Sequence, residues 1–347
     1  PMAHYRKQMV SVLLTSRCNL GCLYCITSCN HVGQLDIDPR FARRGIADYF
    51  ASTPFPYVRF TAVGEPIRRF DLLRELHAHA MELSGGRARF ELQTNGTFDE
   101  PTARWIADNI EVVWLSYDGL PDVQDRLKRT RDGQPTSDRV LRNLELLQAG
   151  RACAGFRATI TTLNVERQCE MVRFAADRGV AAVFSKIMLP PSNPAADHAF
   201  HRTARALTTD IMTYARHFVD AWRLSRELGV FYGNGYINNF DEDCFMACRA
   251  CVPCPHLLPD GYVSACDRAT LGTTPLQEFI YGRYDAGADR IDYDEARMAA
   301  LRARTVDRMP ACADCPIKHR CAGACLGTTA QLVGDMNGVI PEYCEAI

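Results

Sequence analysis

The chain lacks an excess of charge of either sign, a long apolar run and an apolar N-terminal segment. Its 347 residues carry 41 acidic and 40 basic side chains, and the resulting net charge of -1 creates no field that would gather nucleic acid or an anionic membrane surface. No stretch approaches the roughly 18 continuous apolar residues of a membrane-spanning helix, and the first residues lack the apolar core of a signal peptide. We expect a soluble, cytoplasmic protein that binds neither nucleic acid nor membranes.

Cysteine, in contrast, is abundant. The chain has 16 cysteines, and they bunch in x2 and x3 spacings instead of scattering along the sequence. Secreted domains with a dense disulfide framework are much shorter chains. The pattern therefore favours metal binding in a reducing, low-oxygen setting over disulfide formation.

Short β-branched or aromatic runs alternate with longer helical patterns from about residue 10 to 230, which is typical of βα units around a parallel sheet. The predicted strands are 9–15, 57–62, 88–94, 111–117, 155–162 and 180–188. After Gly229 little periodicity remains, and the rest of the chain has too few apolar residues to fold well without metal staples. We expect an α/β protein with one domain at 1–235 and a cysteine-rich domain at 236–347.

The most informative feature is the triad Cys18, Cys22 and Cys25, spaced Cys-x3-Cys-x2-Cys directly after the first predicted strand. Four thiolates close the coordination sphere of a [4Fe–4S] cluster and leave an electron carrier. Three thiolates leave one iron without a protein ligand, so a substrate or cofactor can bind there. Functional residues of parallel barrels lie at the C-terminal ends of the strands, which is where this triad falls.

Three further segments fall at the same end of the next three strands. They are Gly64-Glu65-Pro66, Gln93-Thr94-Asn95-Gly96 and Leu115-Ser116-Tyr117-Asp118-Gly119. Their collocation with the triad is stronger evidence for a site than any one of them alone.

The triad, with Tyr24 before its last cysteine, resembles the signature of the radical S-adenosylmethionine (SAM) superfamily. The resemblance covers the whole N-terminal domain and implies a partial (β/α)6 TIM-like barrel in which SAM chelates the open iron. It implies that Gly64 and Glu65 hold the SAM amino group, although Val63 replaces the first glycine of the family motif. The residues that it places at the cofactor are Tyr24, Gly64, Glu65, Asn95, Ser116 and Asp118.

A second cysteine pattern resembles the SPASM domain and covers about residues 244–347. The resemblance implies a small, irregular domain with two auxiliary [4Fe–4S] clusters. The ligands that it implies for the second auxiliary cluster are Cys312, Cys315, Cys321 and Cys344. Around the first it places Cys266 and Cys325 with two upstream cysteines. Four thiols compete for those two positions, Cys244, Cys248, Cys251 and Cys254, and we choose Cys248 and Cys251.

Each feature has an ordinary alternative. The triad could be half of a structural zinc site, and the second set could form a zinc-ribbon interaction module. Gly64-Glu65-Pro66 could be a simple turn, and Ser116 and Asp118 could cap the following helix. Cys29, just beyond the triad, is interpreted as a buried thiol and not as a ligand.

The resemblance implies that an electron, from a donor such as flavodoxin or ferredoxin, cleaves SAM to a 5′-deoxyadenosyl radical that takes a hydrogen atom from an unactivated C–H bond. The substrate radical would then pass an electron to the nearer auxiliary cluster while a base takes a proton. Asp267 follows Cys266, where sulfatase-maturing relatives have their proposed base, and is the catalytic candidate. Lys186, at the end of the sixth strand, is a second candidate, or a cation that holds a cofactor or substrate carboxylate.

The leading hypothesis is an oxidoreductase that modifies a ribosomally made peptide in natural-product biosynthesis. Only 17 residues precede Cys18, too few for a fused peptide-recognition domain, so a separate leader-peptide-binding protein is expected. The enzymatic alternatives are a dehydrogenase or epimerase of a small molecule, such as an aminocyclitol or sugar, and a formylglycine-generating enzyme for sulfatases. The non-enzymatic alternative is a zinc- or cluster-stabilised binding module. The sequence leaves open which carbon is attacked and whether the product is crosslinked, dehydrogenated or epimerised.

Overall fold

The computed structural model describes residues 8–191, 196, 198–234 and 243–347. No helix in these residues is long and apolar enough to cross a membrane. The predicted domain boundary at 235/236 lies outside the described residues.

A parallel sheet forms the N-terminal part of the described chain, and its strands are neighbours in chain order. They are β1 (Val10–Leu13), β2 (Tyr57–Thr61), β3 (Arg89–Thr94), β4 (Val112–Leu115), β5 (Cys153–Ile160), β6 (Ala182–Ile187) and β7 (Phe231–Asn234). The α/β class and the open, barrel-like parallel sheet are thus confirmed, and the six predicted strands coincide with β1 to β6. One further short parallel strand, β7, pairs with β6 and was not among the predicted strands.

Helices connect the parallel strands. They are α1 (Pro39–Ser52), α2 (Phe70–Leu83), α3 (Glu100–Asn109), α4 (Pro121–Leu127), α5 (Ser137–Gln148), α6 (Gln168–Asp177), α7 (His198–Ala206) and α8 (Ile211–Glu227). Several begin at an aspartate whose carboxylate accepts a hydrogen bond from a backbone N–H of the first turn, as Asp38 does for α1, Asp99 for α3 and Asp210 for α8. Their apolar faces pack on the sheet and build one continuous core.

The cysteine-rich region extends the same sheet. Its elements are β8 (His256–Leu257), β9 (Tyr262–Ser264), β10 (Ile280–Asp285), β11 (Arg290–Tyr293), α9 (Glu295–Ala303), α10 (Lys318–Cys321), α11 (Leu326–Val333) and α12 (Pro341–Ala346). β8 pairs in parallel with β1, and β9 to β11 follow as an antiparallel ribbon. Gly45 of α1 lies so close to β8 that a β carbon there would stand 2.4 Å from Leu257 Cδ1. The second region is therefore fixed directly against the first strand of the barrel.

We expect Gly119→Ala to lower the free energy of unfolding by about 2–4 kcal/mol, from a left-handed backbone and overpacking together. Gly119 lies between β4 and α4 with φ +91°, and a β carbon would stand 2.3 Å from Cγ of the buried Met171. Gly133→Ala is the matched control, because Gly133 has φ +85° and nothing within 4 Å of the added carbon. Anaerobic urea denaturation measures both variants, and equal losses would contradict the role of the Met171 contact.

Candidate active site

The C-terminal ends of the parallel strands surround a cavity of about 320 Å³. Asp267, Arg268 and Thr270 of the cysteine-rich region also line it. The predicted site residues that line it are Cys18, Cys22, Tyr24, Cys25, Gly64, Glu65, Asn95, Ser116, Lys186 and Asp267. One cavity thus brings together residues that are up to about 250 positions apart in the sequence.

The triad lies in the loop after β1 and has a fourth thiol beside it. Cys29 is buried, its Sγ lies 3.8 Å from that of Cys25, and it also interacts with Cys18. Hydrogen bonding from Cys29 lowers the pKa of Cys25 to about 6, so Cys25 is a thiolate at neutral pH, the form that binds metals. Burial raises the pKa of Cys22. Coordination to a metal would lower it again and deprotonate the thiol. Three thiols that share one wall fit the donor set of a cluster with an open corner.

The loop after β2 holds the triad loop in place through its backbone. Gly64 N donates to Thr15 O over 3.1 Å and Glu65 N to Arg17 O over 2.8 Å, while the Thr27 hydroxyl donates to Val63 O over 2.7 Å. A β carbon on residue 64 would stand 2.2 Å from the Arg17 carbonyl oxygen. Glycine is therefore required at position 64, whereas position 63 contributes a carbonyl that any residue provides.

Asn95 also contacts the triad loop. Its Nδ2 donates to Asn19 Oδ1 over 3.0 Å, and Asn19 Nδ2 donates to Thr97 Oγ1 over 2.8 Å. Asn19 lies between two triad cysteines and was not singled out from the sequence, because only the folded structure shows its partner. The side chain of Asn95 thus positions the loop as well as lining the cavity.

Glu65 is the buried carboxylate on this side of the cavity. Its oxygens accept hydrogen bonds from Thr94 Oγ1 over 2.6 Å and from Asn95 N over 2.7 Å. Burial outweighs these bonds and raises the pKa of Glu65 to about 7. Glu65 therefore titrates near neutral pH, and a cationic ligand beside it would stabilise its ionised form.

Asp118 is fully buried and is not among the residues that line the cavity, and its contact with the cofactor stays a prediction. Its carboxylate accepts hydrogen bonds from Tyr24 Oη over 2.5 Å, Lys128 Nζ over 3.0 Å and Thr159 N over 2.9 Å. Leu120 precedes α4 and no side chain caps this helix, so Asp118 does not have the alternative capping role. Asp118 instead positions Tyr24 and Lys128, which both line the cavity. Lys128 escaped the sequence analysis because its only signal is this contact.

Asp267 lies in the cavity wall between two basic side chains. Both its oxygens contact the guanidinium of the buried Arg59, and His256 Nε2 lies 2.9 Å from Oδ1. Desolvation in the cavity wall opposes ionisation of Asp267, but the charges and hydrogen bonds of Arg59 and His256 outweigh it and hold its pKa well below the usual range. Nδ1 of His256 faces the carbonyls of Cys254 and Ser264, so both ring nitrogens meet oxygen acceptors. Asp267 is a carboxylate that is held in place, and a weak base in this arrangement.

Lys186 lies on β6 and lines the same cavity. Burial is the largest cause that lowers its pKa, and the nearby charges of Arg268 and Arg157 add to it. Arg268 and Arg157 line the cavity too, and neither was singled out from the sequence.

The cysteines of the C-terminal region form two groups. In the first, burial and the proximity of Cys325 and Cys248 raise the pKa of Cys266 to about 12, and a hydrogen bond from Cys248 lowers that of Cys251 to about 7. The two other upstream thiols are Cys244 and Cys254. The Cys244 thiol donates a hydrogen bond to Met246 O over 2.9 Å.

The second group consists of Cys312, Cys315, Cys321 and Cys344. Cys312 and Cys344 each interact electrostatically with Cys315, and Cys321 interacts with both Cys315 and Cys344. Within each predicted ligand set the thiols thus lie close enough to interact, and their role as ligands stays a prediction. Four thiols in each group fit the donor set of a closed cubane cluster.

Gly64→Ala is expected to remove the iron of the triad site alone. The added carbon collides with the Arg17 carbonyl and displaces the triad loop, so iron in the anaerobically reconstituted protein should fall by about four per chain, the content of one cubane cluster. Gly33→Ala is the control in the same loop, because nothing lies within 4 Å of its added carbon. Iron analysis with Mössbauer spectroscopy gives the readout, and unchanged iron in the Gly64 variant would contradict the role assigned to the close approach.

Replacement of Glu65 by glutamine should change the pH dependence of stability. The pKa of Glu65 is about 7 in the folded protein and about 4.3 in the unfolded chain. Between these pH values the native state holds a proton that the unfolded state has lost. The contribution of Glu65 to the free energy of unfolding therefore falls as pH rises from about 4.3 to 7. Wild type should lose about 2–3 kcal/mol relative to Glu65→Gln across this window. Denaturation of the cluster-free protein at pH 5 and 7.5 tests this, with Glu100→Gln on the surface as control; parallel curves would contradict it.

The comparisons with known proteins agree with this geometry. Residues 12–175 match the family model of the Radical SAM superfamily. Fe-coproporphyrin III synthase of Methanosarcina barkeri is 28% identical over 233 residues, which cover 61% of this chain and 56% of that protein. The serine-type anaerobic sulfatase-maturating enzyme of Bacteroides thetaiotaomicron is 27% identical over 174 residues, which cover 45% of this chain and 40% of that protein. The chain thus spans about half the length of these curated relatives.

Two solved structures share the fold over nearly the whole chain. Native anSMEcpe with bound AdoMet has a TM-score of 0.75 at 17% identity, covering 97% of this chain and 94% of that one. Streptococcus suis SuiB bound to S-adenosylmethionine has a TM-score of 0.69 at 17% identity, covering 97% and 77%. The N-terminal part of the chain thus matches the Radical SAM superfamily, and the cysteine-rich region continues the barrel within a fold that the whole chain shares with these two structures.

Proposed function

We propose that the protein is a radical SAM oxidoreductase that abstracts a hydrogen atom from a peptide substrate and oxidises the substrate radical through an auxiliary cluster. One observation carries the proposal: the residues that directly follow Cys266 line the same cavity as the open triad. A substrate in this cavity would lie between the site where the radical forms and the cluster that accepts its electron.

The chain's own residues would divide the work as follows. The triad would hold the first cluster, and the Gly64 backbone with Glu65 would face the amino group of SAM. Tyr24 and Ser116 would bound the rest of the cofactor. When bound, the cluster and SAM supply a 5′-deoxyadenosyl radical by reductive cleavage. A flavodoxin or ferredoxin is the proposed electron donor.

Asp267 is the proposed acceptor of the proton that the substrate radical loses on oxidation. Among the described residues it is one of two carboxylates in the cavity wall, and the one next to the auxiliary cysteines. The contacts with Arg59 and His256 keep Asp267 ionised, as a proton acceptor must be. The same contacts reduce the basicity of Asp267. A substrate that draws Arg59 away from Asp267 would raise that basicity.

A peptide substrate is supported by what similar folds bind. Streptococcus suis SuiB is solved with its precursor peptide SuiA, with a TM-score of 0.66 at 18% identity over 97% of this chain. Native anSMEcpe is solved with the Kp18Cys peptide, with a TM-score of 0.73 at 17% identity. We propose natural-product peptide maturation on this basis.

A small-molecule substrate is the second candidate. It is supported by the 28% identity to Fe-coproporphyrin III synthase of Methanosarcina barkeri, whose name describes action on a tetrapyrrole. This candidate uses the same cavity and needs no leader-binding partner.

Loss of single cysteines should separate the radical site from the auxiliary site. Reconstituted wild type with dithionite and SAM should hold about twelve iron per chain and form 5′-deoxyadenosine. Cys25→Ala should keep about eight iron and form none, because the open iron is lost. Cys315→Ala should keep SAM cleavage while losing iron of the second group. Zinc in place of iron, with no 5′-deoxyadenosine from wild type, would contradict the proposal and favour a binding module.

A further inference from the structure

We propose that the cavity binds its substrate through a carboxylate or phosphate group held by Arg157, Lys186 and Arg268. This inference deepens the proposed function and rests on it only in taking the cavity as the substrate site. The three side chains form what we call the cationic wall.

Two strands and one loop build the cationic wall. Arg157 lies on β5 and Lys186 on β6, where Arg157 pairs with Phe184 and Thr159 pairs with Lys186. Alternate residues of a strand share one face, and all four of these residues line the cavity. Arg268 reaches it from the other side, directly after Asp267.

The cationic wall has no carboxylate partner of its own. Among the residues that the structure describes, no carboxylate oxygen lies within 4.0 Å of the charged nitrogens of Arg157, Lys186 or Arg268. Nε and Nη1 of Arg268 are buried without any hydrogen-bond partner. Buried donors without an acceptor are costly, and an anionic ligand would satisfy them.

The carboxylates nearby are already engaged. Asp267 contacts Arg59 and His256. Glu65 accepts its hydrogen bonds from Thr94, Asn95 and Ile67. Glu91, in the barrel interior, contacts Tyr57 and Gln93. The cationic wall therefore keeps an excess of positive charge in a half-buried site, which favours an anion.

Bound cofactors do not account for all of this charge. SAM brings a single carboxylate, which would also chelate the open iron, so it does not serve all three cations. An auxiliary cluster at Cys325 would be a partner for Lys186, since the two interact electrostatically. The leading charges that act on Arg157 are those of Asp267, Arg59, Glu91 and Arg249, none of them a cysteine. Arg157 is thus the residue that tests the substrate role most cleanly.

The consequence is a choice among substrates. An acidic side chain, a C-terminal carboxylate or an acidic small molecule would fit the cationic wall. A protonated aminocyclitol or aminosugar would be repelled, since like charges discriminate against a ligand.

Calorimetry on the anaerobic, cluster-loaded protein with SAM and no reductant tests the proposal. Succinate and inorganic phosphate should bind saturably, whereas the neutral succinamide and the dicationic 2-deoxystreptamine should not. Arg157→Gln should weaken succinate binding about tenfold or more, and Arg157→Lys should retain most of it. Arg216→Gln, an exposed residue of α8, is the control.

Equal binding of succinate and succinamide, or unchanged binding in Arg157→Gln, would overturn the proposal. Binding of the aminocyclitol in preference to the anions would do the same. Formation of 5′-deoxyadenosine is measured separately on wild type. Anion binding without SAM cleavage would contradict the proposed function but not this inference. SAM cleavage without anion binding would contradict this inference but not the proposed function.

A second, independent observation concerns Arg304 at the end of α9. Its guanidinium is buried and donates to the carbonyls of Ala322 over 2.9 Å, Gly323 over 2.6 Å and Met336 over 3.3 Å. No carboxylate of the described chain lies within 4.0 Å of it. A buried cation without an anionic partner needs an explanation.

The surroundings of Arg304 join the two cysteine groups. Residues 322–324 link Cys321 of the second group to Cys325 of the first, and all three have left-handed backbones, with φ of +55°, +77° and +62°. Arg304 also interacts electrostatically with Cys251 of the first group and Cys312 of the second. We infer that the fixed charge of Arg304 stabilises the reduced states of both auxiliary clusters, one of which the proposed function requires as its electron acceptor.

The test is an EPR-monitored redox titration of the reconstituted protein without SAM. Arg304→Gln should shift the auxiliary midpoint potentials to more negative values at unchanged iron content, and Arg304→Lys should restore part of the shift. Exposed Arg308→Gln is the control for nearby surface charge. Unchanged potentials in Arg304→Gln, or loss of auxiliary iron in the charge-retaining Arg304→Lys, would overturn the inference. Wild-type iron and SAM cleavage report on the proposed function separately.

Discussion

An ion pair between the buried Arg59 and Asp267 is the interaction on which the site depends. Arg59 lies inside the barrel on β2, where its Nε also donates to Ser11 Oγ of β1 over 2.9 Å. Asp267 directly follows Cys266, and its side chain faces the cavity. Loss of Asp267 would leave the Arg59 charge buried without its carboxylate partner, which is strongly unfavourable. The pair therefore fixes the first auxiliary cysteine group against the mouth of the barrel, together with the pairing of β8 on β1.

This attachment explains how one cavity serves two kinds of cysteine site. The triad loop reaches the cavity from β1 and is held by the Gly64 backbone and by Asn19. The first C-terminal cysteine group adjoins it through the residues after Cys266. Between them the walls differ in charge: Glu65 lies near the triad, whereas Arg157, Lys186 and Arg268 lie opposite. A substrate with an anionic group and a reacting C–H bond would be oriented by this difference.

The sequence predicted the parts of the structure that local pattern determines. Strand periodicity located β1 to β6, and the motifs at their ends located Gly64, Glu65 and Ser116 on the cavity wall. What it missed depends on contacts distant in the chain. The two-residue β8 has no periodicity, yet it anchors the second region. Lys128 and His256 carry no local signal, and the motif that contains Asp118 does not indicate that this residue is fully buried. Such residues acquire their roles only when the barrel closes around them.

The central claim is an open iron at the triad, and Cys29 at 3.8 Å from Cys25 is the side chain that could close it. Electron–nuclear double resonance on the reduced, reconstituted protein with SAM labelled by ¹⁵N at the amino group and ¹⁷O at the carboxylate measures this directly. The account predicts hyperfine coupling from both labels to the cluster. A [4Fe–4S] signal without either coupling in wild type, with coupling gained in Cys29→Ala, would contradict it and identify a cluster closed by Cys29.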